Sequence, residues 1–161
     1  MSDNSTMKRR QLLLTAAASM VALTRPWHLA LAAAEPEVQI YKSPTCGCCS
    51  MWVEHLQGNG FAVMTQDLPD LANIKRMAGV PDHLVACHTA LIEGYTVEGH
   101  IPAIAIQQLL SDRPDVRGIA VPGMPAGSPG MPDPNPERYD VIAFGDEADS
   151  VFMSFVGETP A

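Results

Sequence analysis

Three of the chain's four cysteines fall within four residues, in Lys42-Ser43-Pro44-Thr45-Cys46-Gly47-Cys48-Cys49-Ser50. No other stretch limits the fold so strongly. The apolar run Val38 to Tyr41 precedes it, and Met51, Trp52, His55 and Leu56 follow at helical spacings of three and four. The pattern predicts a strand, a tight turn that holds the thiols, and a helix. Free backbone N–H groups and the positive end of the helix dipole at that point favour thiolate over thiol. Thiolate is the form that attacks disulfides and binds soft metals. The fourth cysteine, Cys87, stands beside His88, and any reading of the chain must bring that pair and the turn together.

Residues 1–34 read as an export signal rather than as part of the fold. A basic segment, Lys8-Arg9-Arg10, is followed by an apolar and small stretch from Leu12 to Leu23, then by Ala30-Leu31-Ala32-Ala33-Ala34. The Arg9-Arg10 pair points to the twin-arginine route, with Sec export open because Lys8 stands where a Ser or Thr is usual. The run of 12 residues is too short to span a bilayer, which takes ~20. Cleavage after Ala32 or Ala34 is expected, leaving no stretch that inserts stably in a membrane. That cleavage removes four of the 10 Lys+Arg and one of the 18 Asp+Glu, so residues 35–161 carry 6 against 17, a net charge of −11. Such a surface disfavours nucleic acid and anionic membranes. An exported chain meets an oxidising compartment, the periplasm, where cysteines commonly pair.

After the cysteine helix, which Gly58-Asn59-Gly60 should end, Phe61 to Thr65 reads as a second strand. A second helix is expected from Leu68-Pro69-Asp70, with Leu71, Ile74, Met77 and Ala78 as its apolar face. Thr89 to Ile92 and Tyr95 to Val97 form a hairpin through Glu93-Gly94. A third helix starts at Pro102, with Ile104, Ala105, Leu109 and Leu110 facing inward, and Arg113-Pro114 closes it. This α/β order, β-α-β-α-β-β-α with a cysteine turn after the first strand, resembles the thioredoxin-like fold in its glutaredoxin form. In that fold a cis-proline precedes the third strand and faces the cysteine turn; here Cys87-His88 takes its place. The C-terminal third lies outside this minimal core. It holds a stiff loop with Pro-Gly-Met-Pro and Pro-Gly-Met-Pro again, Pro122 to Pro132, then a strand pair, Tyr139 to Phe144 and Val151 to Phe155.

Three readings of the thiols are open. Soft thiolates and thioethers select Cu(I) over hard cations, so Cys46, Cys48, Cys49 and Cys87 form a candidate copper site. Met124 and Met131 on the Pro-Gly loop, with His88 and His100, are auxiliary or surrounding candidates. Four thiolates exceed what one two- or three-coordinate Cu(I) needs, so a thiolate-bridged, multinuclear cluster is an option. Zinc ranks second, because its structural sites favour separated Cys-x-x-Cys knuckles. The second reading is thiol–disulfide exchange, with Cys46 attacking and Cys49 resolving; Cys48 inside the motif and the missing cis-proline count against it. The third is a domain stapled by two structural disulfides, which makes poor use of three thiols in one turn.

From Val38 to about Met131 the chain resembles domain-of-unknown-function family 411, exported CopG-like copper-resistance proteins. The matching residues are Tyr41 to Cys49, Trp52, His55-Leu56, Gly60-Phe61, Gly79-Val80-Pro81, Cys87 to Ala90, Gly94-Tyr95, Glu98 to Pro102, Val121 to Pro125 and Gly127 to Met131. The resemblance implies a thioredoxin-like fold over residues 35–161, a periplasmic location, copper held by the cysteines and a part in copper tolerance alongside other periplasmic copper-handling proteins. Redox conversion of copper is a further implied activity.

Overall fold

The computed structural model describes residues 35–161, and the expected export segment lies outside them. Along the chain come β1 (Glu37–Lys42), α1 (Gly47–Gly58), β2 (Ala62–Asp67), α2 (Ala72–Met77), a 3-10 turn (Asp82–Leu84), β3 (Thr89–Ile92), β4 (Tyr95–Glu98), α3 (Ala103–Asp112), β5 (Gly118–Ala120), β6 (Arg138–Phe144), β7 (Ser150–Val156) and β8 (Thr159–Pro160). Up to α3 this is the β-α-β-α-β-β-α order expected from the sequence. The strands form one mixed sheet in the order β2-β1-β3-β4-β5-β6-β7-β8. β1 lies parallel to β2 and antiparallel to β3. No described helix is long and apolar enough to cross a membrane.

Side chains alternate across a strand, so Val38 and Ile40 point to one face and are fully buried. There they meet Trp52 and Leu56 of α1, Ala105, Ile106 and Leu109 of α3, and Ala90, Ile92, Val97 and Ile119 of the neighbouring strands in one core. Burying α1 through Trp52 fixes the helix whose first turn carries the thiols. The indole N–H also donates to the carbonyl of Ile101 at 2.8 Å, which ties α1 to the segment after β4.

Two expectations change. First, Ile104 is 45% exposed, and Ala103 and Ile106 take the buried places on α3. Second, α2 begins at Ala72 and buries none of its residues, and Met77 is 81% exposed. The Leu68 N–H is already committed to the Lys42 carbonyl, while Asp70 accepts from the Ala72 N–H in a local turn, so the helix starts only after that turn. The C-terminal third supplies the expected strand pair, which extends the core sheet. β5 pairs parallel with β4, and the β6–β7 hairpin continues the same sheet. Tyr139, Val141 and Phe155 enter the main core.

His55 of α1 has a defined task. Its Nε2 accepts the Ala103 N–H at 3.0 Å, and its Nδ1 lies 3.5 Å from a Glu158 carboxylate oxygen. The side chain thus caps α3 from α1. Burial lowers its pKa, with Glu158 opposing, consistent with an imidazole that must keep Nε2 bare to accept.

Candidate metal centre

β1 ends at Lys42 and the chain turns directly into α1, with Cys46 as the N-cap residue. No side chain caps this helix end, so its first N–H groups lack a side-chain partner. β3 runs antiparallel beside β1, which brings the segment before β3, carrying Cys87 and His88, to the same end of the sheet. The peptide bonds there are trans, as in all described residues.

All four cysteine sulfurs lie within 4.8 Å of one another. Cys46 and Cys49 are joined in a disulfide, and Cys48 and Cys87 are free. The two-disulfide staple is therefore not what the chain builds. Cys48 Sγ sits 3.4 Å from Cys46 Sγ, and Cys87 Sγ 3.6 Å from Cys49 Sγ, so each free thiol is against one half of the bridge. Burial first, then the neighbouring Cys48, pushes the Cys87 thiol up to about 12.

Cys87 belongs to a second group as well, with His88 and His100, again within 4.8 Å. His100 follows β4 and is fully buried. Its Nδ1–H donates to the Pro129 carbonyl at 2.7 Å, which leaves Nε2 bare and 3.1 Å from Cys87 Sγ. A backbone carbonyl that fixes the imidazole tautomer in this way is a usual support for a metal-binding histidine. His88 is also fully buried, with Nδ1 3.2 Å from Cys87 Sγ and Nε2 lacking any hydrogen-bond partner. Its ring lies 4.3 Å from that of Trp52 and edge-on to His100 at 4.9 Å. Burial, then His100, holds its pKa well below the usual histidine range; burial lowers that of His100 also. Both rings are thus neutral, the form that donates a lone pair to a metal.

The Pro-Gly-Met loop packs against this centre through its backbone. A Cβ on Gly130 would stand 2.6 Å from the Cys48 carbonyl oxygen, 2.9 Å from the Trp52 nitrogen and 3.3 Å from His100 Nδ1, and its φ is +83°. Only glycine fits there. Met131, next to it, is half-buried, while Met124 is 54% exposed. Gly130→Ala should destabilise the fold by roughly 2 kcal/mol or more through strain and overpacking. Thermal unfolding would show a loss of several degrees, whereas the open Gly58, with nothing within 4 Å of a Cβ, should accept alanine with no such loss.

A neighbouring network escapes sequence reasoning altogether. Glu98 is fully buried at the end of β4 and binds Lys75 of α2, the Ala86 N–H and the Thr89 hydroxyl. Burial raises the Glu98 pKa, while Lys75 most strongly opposes it. A carboxylate closing the Tyr95-Thr96-Val97 run is the one sign in the sequence, and nothing there links it to Lys75.

A mixed α/β domain that gathers four cysteine sulfurs and two buried, neutral imidazoles at one end of its sheet has the donor set of a soft-metal-binding protein. The protein family of unknown function DUF411 matches residues 84–131, a span holding Cys87, His88, His100, Gly130 and Met131. A solved structure of the copper resistance protein copG, form 1, shares 40% identity, with a TM-score of 0.71 over 76% of this chain and 100% of its own. Form 2 shares 38% identity, with a TM-score of 0.71 over 75% of this chain and 98% of its own. No curated protein matches the chain. The chain belongs to the DUF411 family of CopG-like copper resistance proteins.

Proposed function

We propose that this protein is a periplasmic copper-binding protein of thioredoxin-like fold that acts in copper tolerance. In this reading an export signal at residues 1–34 carries it across the inner membrane by the twin-arginine or Sec route. Reduced Cys46, Cys48, Cys49 and Cys87 take Cu(I) as their cargo, and the excess of thiolates favours a bridged cluster. His100 and His88 flank Cys87 and complete the donor set. The observation that carries the reading is the sharing of Cys87 between four sulfurs within 4.8 Å and two buried, bare imidazoles. Hard cations need oxygen ligands, and none belongs to either group. Zinc would suit a closed tetrahedral set, but two histidines beyond four cysteines exceed its needs.

The test is anaerobic Cu(I) titration of the reduced protein, followed by elemental analysis and thiolate-to-copper absorption. More than one tightly held ion per chain is expected. No uptake in the presence of a modest competing chelator would sink the copper reading.

One observation favours a second reading. The Cys46–Cys49 bridge sits at the start of α1, the place and spacing of thiol–disulfide exchange pairs. An oxidoreductase of this kind would reduce insulin-type disulfides, lose that activity in Cys46→Ser, and show no need of His100.

A further inference from the structure

The Cys87-His88 arm is irregular backbone, yet it must hold a sulfur against three others on a different element. Glu98 supplies what regular structure does not. Its Oε1 accepts the Ala86 N–H at 2.6 Å, and its Oε2 accepts the Thr89 hydroxyl at 2.7 Å. One carboxylate therefore grips the arm on both sides of Cys87 and His88. Lys75 Nζ lies 2.5 Å from Oε1 and 3.1 Å from Thr89 Oγ1, closing the network from α2. The Gly99 N–H, next along the chain, holds the His88 carbonyl at 3.1 Å. A Cβ at Gly99 would stand 2.8 Å from that of Ala86 and 2.4 Å from the Val121 carbonyl oxygen, so arm and strand end are in close contact. Two residues beyond Glu98 comes His100.

Stability does not account for this arrangement. A buried ion pair is weak evidence for stability, because desolvating both charges offsets most of their attraction, and apolar residues of similar volume often do as well. The rest of β4 is apolar or hydroxylic and fully packed. What the carboxylate offers, and a leucine would not, is fixed geometry at residues 86 and 89.

We propose that Glu98, with Lys75 as its counter-charge, is a positioning residue for the thiol cluster: it sets Cys87 and His88 in register with the α1 thiols and with His100. The inference rests on the copper reading for its purpose but not for its test. Reduced, metal-free full-length protein is treated with iodoacetamide, and the alkylation rate of Cys87 is compared with that of Cys48 in the same molecules by peptide mass spectrometry. Glu98→Gln keeps the volume but puts an amide N–H₂ where one acceptor stood. The Cys87-to-Cys48 rate ratio should rise several-fold. Lys75→Gln leaves Ala86 and Thr89 tied to Glu98, so it should raise the ratio less, and it serves if Glu98→Gln does not fold. Tyr139→Phe on β6, which removes a bond to the Gly157 carbonyl, reports general loosening and should leave the ratio alone.

An unchanged ratio in every folded Glu98 and Lys75 variant, or an equal rise in Tyr139→Phe, overturns the proposal. Where the parent protein binds Cu(I), Glu98→Gln should weaken binding ~10–100-fold, as loss of an orienting partner does, and unchanged affinity also overturns it. A parent protein that binds no Cu(I) refutes the copper reading alone, and the alkylation ratio still decides the role of Glu98.

Discussion

Oxidised protein, with the Cys46–Cys49 bridge intact, should bind Cu(I) at least ~100-fold more weakly than the reduced protein, because losing two ligands exceeds the loss of an orienting partner. Two of the four sulfurs are tied to each other, and a disulfide sulfur carries no charge to offer a cation. Cys48 and Cys87 remain free, enough for a weak two-coordinate ion but not for a bridged cluster. The measurement is a competition with a chromophoric Cu(I) chelator, run anaerobically on the two redox forms side by side. Equal affinity and equal stoichiometry would mean that Cys46 and Cys49 are not ligands. The exchange reading would then explain their spacing better. If the expectation holds, metal loading is coupled to the redox state of the four-residue turn from Cys46 to Cys49, and whatever reduces the bridge also opens the site.

Cys87→Ser is the single substitution expected to cost most. Cys87 is the one residue common to both clusters, so its removal parts the α1 sulfurs from the imidazoles. Serine keeps the size of the side chain, but its hydroxyl stays protonated and hard, a poor match for Cu(I). The number of bound ions should fall, and the affinity for what remains should drop by more than the ~10–100-fold typical of an orienting residue. Elemental analysis gives the count and the chelator competition gives the affinity. The fold should be nearly unaffected, since Cys87 is only half-buried and lies outside the apolar core. A variant that keeps the parent's stoichiometry and affinity would refute a shared site. Insulin reduction by this variant, compared with Cys46→Ser, separates the two functional readings in the same set of proteins.

Local chemistry made part of the centre legible. Cys46, Cys48 and Cys49 announce a helix start because an apolar strand leads in and Trp52 and Leu56 recur at helical spacing behind them. The hairpin through Glu93-Gly94 was readable because Gly94 takes a φ of +91°, a conformation that glycine adopts freely. On α3 the buried face includes Ala105 and Leu109 as expected but takes Ala103 and Ile106 in place of Ile104, because a small residue such as Ala103 gives little signal in a pattern of large apolar residues. α2 was readable as a helix but not as an exposed one: periodicity reports an apolar face without saying whether anything covers it.

The run of apolar, turn and thiol residues thus dictated the strand-turn-helix, the placing of three cysteines at its bend and the presence of a stiff Pro-Gly-Met loop. Each depends on neighbours within about one helical turn. Tertiary structure alone settled which sulfurs pair, that Cys87 joins both clusters, that Pro129 sets the tautomer of His100, and that Glu98 grips the arm with Lys75 from 23 residues away. Those features come from strand order and from the close approach of Gly130 to α1, distances that a linear sequence does not carry.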